Sequence, residues 1–461
     1  MATTDKPARS AWSGKWAFIL AAAASAVGLG NMWRFPYLAA KYGGGTFLFT
    51  YLVLVFTFGV SLLLLETALG RKTGQSAIGA FKAFGKKYAF IGILTSAIPF
   101  IIVPYYCIIG GWVTKYTASY LTIGPGALAD GGGFFSGFIT SNTESYLWML
   151  IFMAITFIIV ALGVKGGIEK ANLVMMPALI VMAIGIAIYT ITMPGALDGV
   201  AYYLMPDFSK FSPELVIGAL GQMFYSLSLA MGIMITYGSY LNKKDSLTQS
   251  VTRIGGFDLG VSFLAGLMIV PAAFVAMGSG DAVASQAGPS LMFITLPSVF
   301  NDMGGAASIV GFLFFLLVLF AALTSAISLT ETCVSIIADG AGWSRKRSLI
   351  TVMVFIVAAG MLINAGYNAL SFIEPLGPGS SMLDFFDFMS NSVMMPIAAI
   401  ATCLLVSRVI GVDKIEQEVE LDGQPFRRKK IFRFMIRWLC PVFAAVILAS
   451  SVANAFGIIK M

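Results

Sequence analysis

The sequence contains no histidine and very little charge. Only 11% of its 461 residues are Asp, Glu, Lys or Arg, against roughly 25% in soluble domains, and 58% are hydrophobic. Without histidine, a proton relay through imidazole and a metal site with histidine ligands are both excluded. Cys107, Cys333, Cys403 and Cys440 stand singly in or beside apolar segments, so they indicate neither a metal site nor a disulfide framework. The composition indicates a polytopic membrane protein.

Apolar stretches long enough to cross a bilayer, about 20 residues each, occur eleven times. They lie at 15–41, 45–70, 88–121, 146–162, 168–192, 214–241, 250–279, 304–338, 345–364, 380–407 and 432–459. A cleaved signal peptide at Ala17–Ala26 is the alternative interpretation of the first stretch. It is disfavoured because the supposed cleavage region runs directly into a patterned segment.

The basic residues predict how these spans are oriented. The net charge is +7, and most basic residues fall at the N-terminus and on every second loop. The other loops, 122–145, 193–213, 280–303 and 365–379, contain a single lysine, Lys210. The excess is therefore a topology signal and not a nucleic-acid-binding surface. We expect a multi-pass protein of the cytoplasmic membrane with its N-terminus cytoplasmic and its C-terminus extracellular.

The first and sixth stretches are each interrupted in the middle. Val27-Gly28-Leu29-Gly30-Asn31 interrupts the first, and Gly221–Gly232 interrupts the sixth. Gly costs about 1 kcal/mol against Ala in a helix interior, and freed backbone groups in lipid must face protein or a water-filled cavity. Two broken helices at matching positions of inverted halves indicate the binding site of a secondary transporter.

Several motifs resemble the neurotransmitter:sodium symporter family, in its LeuT-type bacterial branch. They are Ala26–Asn31 with Trp33–Pro36, Gly43–Gly45, Glu66, Tyr105-Tyr106, Gly221–Ser228 and Ala321–Ser325, and they run through nearly the whole chain in order. The resemblance implies an all-α LeuT-type fold in a single transporter domain, 1–461. Its inverted five-helix repeats would be 15–192 and 214–407, with discontinuous helices 1 and 6, followed by an eleventh helix at 432–459. The family usually has twelve helices, so the oligomeric state stays open.

The resemblance also implies sodium as the coupling ion, with no other metal and no cofactor. The first sodium site would be formed by Ala26, Asn31, Ser226 and Asp258, together with the substrate carboxylate. The second would be formed by the Ala24, Val27 and Ala321 carbonyls and the Thr324 and Ser325 hydroxyls. Adjacent Thr and Ser in a helix otherwise hydrogen bond only to the preceding turn.

The implied substrate site surrounds both interruptions. Its residues are Ser25, Ala26, Gly28, Leu29, Gly30, Ile102, Tyr106, Tyr225, Ser226, Ser228, Met231, Ser325, Ser328 and Leu329. The Leu29 and Gly30 amides would hold a carboxylate at the positive end of a half-helix. Gly28 resembles the amino-acid carriers, since monoamine carriers have aspartate there. The apolar lining predicts a neutral, hydrophobic or aromatic L-amino acid, while the serines leave a small polar amino acid open.

Gates and a chloride-like pocket complete the comparison with the family. The implied outer gate is Arg34, Asp387, Tyr106 and Tyr225, and the implied inner gate is Arg9, Trp12, Tyr240 and Asp339. Tyr51, Gln222, Ser226 and Ser262 match the chloride pocket, but Asp258 stands where asparagine is common. We expect its carboxylate to replace chloride, although a purely structural pairing is the alternative. Glu66 is expected to support the broken first helix, and Glu331 has no predicted role.

The sequence thus predicts sodium-coupled uptake of an amino acid by alternating access. The expected partners are the amino acid, sodium ions and the lipid bilayer, with no nucleic acid. A non-transporting sensor or a channel on the same scaffold is the competing class. An enzyme is disfavoured because no nucleophile–base pair or metal-ligand set is present.

Overall fold

A computed structural model describes residues 12–277 and 289–458 of the chain, and within them the fold is helical. Nine helices in these residues are long and apolar enough to cross a bilayer. In chain order they are Gly45–Thr73 (span 2), Lys86–Thr122 (span 3), Glu144–Ala161 (span 4), Val164–Ile191 (span 5), Leu247–Val275 (span 7), Gly304–Ala341 (span 8), Arg345–Tyr367 (span 9), Met382–Ile410 (span 10) and Lys429–Ala455 (span 11).

The two remaining predicted spans are broken helices. Span 1 consists of Lys15–Ala26 (span 1a) and Gly30–Lys41 (span 1b), which meet at an angle of 55°. Span 6 consists of Pro213–Ser226 (span 6a) and Ile233–Gly238 (span 6b), separated by the six residues 227–232. The eleven predicted segments and both interruptions are confirmed. The predicted end of span 7 at 279 lies outside the described residues.

The broken spans occupy the centre of the molecule. Span 1a packs on spans 5, 7 and 8, span 6b packs on span 2, and span 8 packs along span 3. Spans 2, 3 and 7 are mostly buried, whereas spans 4, 5, 9 and 11 have only 33–39% of the residues of their most apolar windows buried. Outward-facing apolar helices surrounding a packed core are what a bilayer requires. The interrupted backbone is therefore shielded from lipid by whole helices.

Short helices fill segments that the sequence presented as loops. Pro125–Ala129, Gly131–Ile139, Ala196–Leu204 and Leu291–Asn301 lie on the side opposite the basic loops. On the basic side, Val412–Val419 is held to the end of span 2 by the buried Arg71–Glu418 ion pair, 2.8 Å between Nε and Oε1. These helices have at most three turns, too short for a membrane-length pattern to reveal.

Candidate functional site

A small cavity lies where the two interruptions face each other. Its lining is Ser25, Ala26, Gly28, Leu29, Gly30, Asn31, Ile102, Tyr106, Tyr225, Ser226, Ser228, Met231, Ile233, Ser325 and Leu329. The structure thus brings together the predicted substrate residues with one exception, and it adds Asn31 and Ile233. The exception is Ser328, which does not line the cavity. Its hydroxyl accepts from Tyr237 Oη at 2.8 Å and donates to the Thr324 carbonyl at 2.9 Å.

The interruption of span 1 is closed by hydrogen bonds within a few residues. The Gly28 N–H donates to Asn31 Oδ1 at 2.9 Å, and the Asn31 N–H donates to the Gly28 carbonyl at 3.1 Å. Close packing favours glycine at 28, because a Cβ there would lie 2.8 Å from Ser325 Oγ and 3.0 Å from Tyr106 Oη. The Leu29 N–H points the same way and donates to Tyr106 Oη at 3.3 Å.

The interruption of span 6 has a different geometry. Ser228 (φ 53°), Ala230 (φ 61°) and Gly232 (φ 76°) all adopt the left-handed region, which is costly for the two that carry a Cβ. The Ala230 N–H donates to Oε1 of buried Glu66 at 2.7 Å. Glu66 therefore supports the broken sixth helix. The expectation that it supports the first was wrong, because the direction of its side chain depends on the rotation of span 2.

A buried polar cluster adjoins the cavity through Asn31 and Ser226. Asn31 Nδ2 lies 2.9 Å from Ser226 Oγ, 2.8 Å from Asp258 Oδ1 and 2.8 Å from Ser262 Oγ. Tyr51 Oη donates to Asp258 Oδ2 at 2.9 Å, and the Ser226 hydroxyl donates to Oδ1. The fully buried Asp258 carboxylate is thus satisfied on both oxygens, as a charge in a dry interior requires.

Gln222, the fourth residue of the predicted chloride-like pocket, takes a different partner. Its Nε2 donates to the Gly30 carbonyl at 3.1 Å, and its Oε1 has no partner among the described residues. Tyr51 and Ser226 contact Asp258 directly, and Ser262 joins them through Asn31. Gln222 instead connects span 6a to the start of span 1b.

The residues predicted for the second sodium site lie where span 1a packs on span 8. The Ser325 hydroxyl lies 3.2 Å from the Ser25 carbonyl and 3.4 Å from the Val27 carbonyl. The Thr324 hydroxyl donates to the Ala321 carbonyl at 3.0 Å, as helical hydroxyls commonly do. Ala24 is fully buried in the same region of span 1a.

On the side opposite the basic loops, Tyr106 and Tyr225 border the cavity. Asp387 accepts hydrogen bonds from Tyr105 Oη at 3.1 Å and from Asn391 Nδ2 at 2.6 Å. No ion pair within 4.0 Å joins Arg34 and Asp387 in the described part of the chain. The expected direct outer pair is therefore not formed in this structure. Tyr105 and Asn391, which hold Asp387, had not been assigned to the gate.

On the basic side, Trp12 packs against the end of span 6b. Its indole N–H donates to the Tyr237 carbonyl at 3.1 Å, and its backbone N–H donates to the Tyr240 carbonyl at 3.3 Å. Asp339 accepts from the Ser76 N–H at 2.8 Å. Arg9, the remaining predicted inner-gate residue, lies outside the described residues.

Glu331 has a clear structural role that the sequence did not reveal. It is fully buried and binds Arg345 with both oxygens, at 2.8 Å and 2.6 Å, while Tyr240 Oη donates to it at 3.0 Å. A second carboxylate, Glu169 at the start of span 5, accepts from the Ser13 N–H at 3.2 Å and from its hydroxyl. A carboxylate inside a membrane span needs a partner. This rule could have indicated from the sequence that Glu331 and Glu169 are paired.

Comparison with known proteins places the chain among transporters. The model of the sodium:neurotransmitter symporter family matches residues 9–125 and 138–458. An uncharacterized sodium-dependent transporter of Bacillus subtilis is 33% identical over 97% of this chain and 98% of its own length. The human sodium- and chloride-dependent GABA transporter 2 is 26% identical over 94% of this chain and 78% of its own length.

A solved structure extends this similarity to the fold. The crystal structure of MhsT in complex with L-phenylalanine superposes with a TM-score of 0.85 at 35% sequence identity, covering 96% of this chain and 100% of MhsT. The helical architecture with discontinuous spans 1 and 6 is therefore the LeuT fold. The match over nearly the full length, together with the two interrupted helices around one cavity, supports multi-pass membrane transport coupled to sodium. The chain belongs to the sodium:neurotransmitter symporter family.

Proposed function

We propose that this protein takes up a neutral L-amino acid together with sodium by alternating access across the cytoplasmic membrane. The observation that supports this most is that the cavity and the polar cluster around Asp258 have two residues in common. Asn31 and Ser226 face the cavity and also contact Asp258. A bound zwitterion and a cation held by the cluster would be neighbours, so each would favour binding of the other.

The proposed first sodium site uses the oxygens around Asn31. Ser226 Oγ and Asp258 Oδ1 both lie within 3 Å of Asn31 Nδ2. The Ala26 carbonyl and the substrate carboxylate would complete the set of sodium ligands. Hard cations prefer oxygen ligands of this kind. The second site would use the Ala24, Val27 and Ala321 carbonyls with Thr324 and Ser325, all neutral oxygens suited to a weakly held monovalent ion.

The proposed substrate pose puts the carboxylate at the start of span 1b. There the Leu29 N–H and Tyr106 hydroxyl face the cavity, and the positive end of the half-helix favours an anion. The amine would face the polar end near Ser25, Ser226 and Ser228. Ile102, Met231 and Leu329 would contact an apolar side chain, with Met231 as an adaptable wall. We therefore favour a hydrophobic or aromatic amino acid, and MhsT is similar to this chain and binds L-phenylalanine.

We further propose that transport is independent of chloride. Asp258 places a fixed carboxylate, held by Tyr51 and Ser226, within the residues that resemble a chloride pocket. A second anion beside a buried carboxylate would be repelled strongly at low dielectric. The orientation with the N-terminus in the cytoplasm and the repeat boundaries 15–192 and 214–407 form part of the same proposal.

Uptake into proteoliposomes tests the proposal. Radiolabelled L-phenylalanine should accumulate under an inward sodium gradient, and it should not accumulate when potassium replaces sodium. Replacing chloride with gluconate should leave the rate unchanged, whereas Asp258→Asn should make any residual uptake chloride-stimulated. A thermal-shift screen of the twenty amino acids, with and without sodium, would identify the substrate if it is a small polar one.

Two results would contradict the proposal in different ways. Sodium-dependent binding without accumulation would indicate a sensor, and sodium-independent flux in both directions would indicate a channel. Strong chloride stimulation of the unmodified protein would refute the role of Asp258 while leaving sodium coupling intact.

A further inference from the structure

An apolar groove of about 380 Å³ runs between spans 4 and 9 on the outer surface, away from the central cavity. It is lined by Leu150, Met153, Ala154, Phe157, Ile158, Ala161, Met353 and Val357. Met153 and Phe157 form a buried floor, and Ile158, with 62% of its surface exposed, forms a rim. The small side chains of Ala154 and Ala161 leave the groove open between them.

The groove has the length of one leaflet. Leu150 and Ala161 are eleven residues apart on span 4, which corresponds to about 16 Å along a helix. Half of a hydrocarbon core about 30 Å thick is about 15 Å. Ala161 ends span 4 on the basic side, so the groove extends from the basic surface to about the bilayer midplane. An acyl chain from a lipid of that leaflet would fit this depth.

Positive charge collects at the basic end of the groove. Arg345 Nη2 donates to the Val160 carbonyl at 3.0 Å, which places the start of span 9 beside the end of span 4. Lys346 lies seven residues before Met353 and eleven before Val357, so it is on the groove-lining face of span 9, two turns nearer the surface. The Arg347 guanidinium lies 3.9 Å from the ring centroid of Trp343, a residue type that is enriched at membrane interfaces.

These charges are available to a ligand. Glu331 neutralises Arg345. In contrast, Lys346, Arg347 and nearby Lys165 are exposed and form no ion pair with an acidic side chain within residues 12–277 and 289–458. Basic residues at the end of an apolar crevice between helices are the features that recognise anionic phospholipids.

We propose that the groove between spans 4 and 9 binds one acyl chain of an anionic phospholipid. Lys346 and Arg347 hold the phosphate headgroup of that lipid, and Lys165 contributes from the start of span 5, four residues after Ala161. The positive charge of these basic side chains would favour an anionic headgroup. The narrow groove between Ala154 and Ala161 would favour an extended acyl chain. The site is separate from the proposed substrate cavity.

Native mass spectrometry of the purified full chain with added phosphatidylglycerol or phosphatidylcholine tests this. The unmodified protein should retain one phosphatidylglycerol more tightly than phosphatidylcholine. Ala154→Phe should fill the groove and abolish retention of both lipids, while Ala445→Phe, an exposed position on span 11, should not. The double variant K346Q/R347Q should lower the preference for phosphatidylglycerol, by about fivefold for each charge removed. The matched pair K86Q/K87Q at the start of span 3 should leave that preference unchanged.

The design separates the groove from general surface effects. If Ala154→Phe is poorly produced, Ala154→Leu can replace it, with thermal unfolding measured in phosphatidylglycerol and in phosphatidylcholine. Phosphatidylglycerol should raise the unfolding temperature of the unmodified chain more than phosphatidylcholine does, and Ala154→Leu should reduce that difference. Unchanged lipid retention in the filled variant would overturn the proposal. An equal loss of the preference for phosphatidylglycerol in K346Q/R347Q and K86Q/K87Q would also overturn it. So would a dimer of the unmodified chain that dissociates in Ala154→Phe while the amount of bound lipid stays the same, because the groove would then be a contact between two copies of the chain.

Discussion

The two helix interruptions that border the cavity are built in different ways. The interruption in span 1 is three residues long, and Gly28 and Asn31 satisfy each other across it. The interruption in span 6 is six residues long, contains two non-glycine residues with positive φ, and depends on the Glu66 carboxylate of span 2. The first is therefore held by its own sequence, while the second is held by a neighbouring helix.

This difference suggests a division of roles in transport. Asn31, which binds back to Gly28 in the interruption of span 1, also contacts Ser226, Asp258 and Ser262, so the geometry of this interruption and the polar cluster change together. The interruption of span 6 is strained and supported at one point by Glu66. Changes at the first should act mainly on ion and substrate binding, and changes at the second mainly on stability.

The largest expected effect is that of Asn31→Ala. It removes the acceptor of the buried Gly28 N–H, at about 1–3 kcal/mol for a buried group left unsatisfied. It also removes one of the three donors to Asp258, which keeps Tyr51 and Ser226. Sodium-dependent uptake should fall to background, and the thermal midpoint should drop. Asn172→Ala is the matched control, because that buried amide has no partner among the described residues. Normal uptake by Asn31→Ala would show that the first interruption does not depend on this side chain.

The next effect is expected for Gly28→Ala, which crowds the cavity. Its Cβ would lie 2.8 Å from Ser325 Oγ, and overpacking of about 1–3 kcal/mol corresponds to a loss of substrate affinity of roughly five- to 150-fold. Equilibrium binding in sodium measures it. Gly185→Ala on span 5 should leave affinity unchanged, because its added Cβ meets nothing within 4 Å. If Gly28→Ala and the unmodified protein bound substrate with equal affinity, the Ser325 side chain would have to move aside at little cost.

A smaller effect, on stability, is expected at Glu66. Glu66→Ala removes the acceptor of the Ala230 N–H and should lower the free energy of unfolding by about 1.5–3 kcal/mol. Glu66→Gln keeps an oxygen at that position and should recover most of the loss. Thermal unfolding in detergent compares the three proteins. If Gln were as damaging as Ala, the hydrogen bond to Ala230 would not be what matters at this position.

The smallest effect is expected at Ala230, with the opposite sign. Ala230→Gly relieves a left-handed conformation and should stabilise the protein by about 1 kcal/mol. Ala219→Gly, within helical span 6a, should instead destabilise it by about 1 kcal/mol. Opposite shifts of the thermal midpoint would confirm strain in the second interruption, and shifts of the same sign would exclude it.

Much of this architecture was predictable because its signals are local. Apolar length gave the eleven spans, and the glycines at 28 and 30 marked the first interruption. Matching the family motifs located nearly all of the cavity lining. The short helices such as Leu291–Asn301 were not predicted, because a few turns of mixed polarity carry no distinct signal.

Pairings between buried polar groups were much harder to predict. Glu66 was expected to support span 1 and instead bonds to span 6, Ser328 turns to Tyr237, and Arg34 does not contact Asp387 directly. Glu331 had no expected partner, although Arg345 lies only fourteen residues further along the chain. In each case the sequence placed the residue at the correct depth but left the direction of its side chain open.

The sequence by itself determined the membrane class, the number of spans, the two interruptions and the family. These follow from hydrophobic length and from residue types that a helix in lipid does not tolerate without a reason. Only the tertiary structure decided which carboxylate meets which donor, and where two lipid-facing helices leave a groove. Such contacts depend on how packed helices rotate about their axes, and a rotation of a few tens of degrees redirects a buried side chain without changing the pattern along the chain.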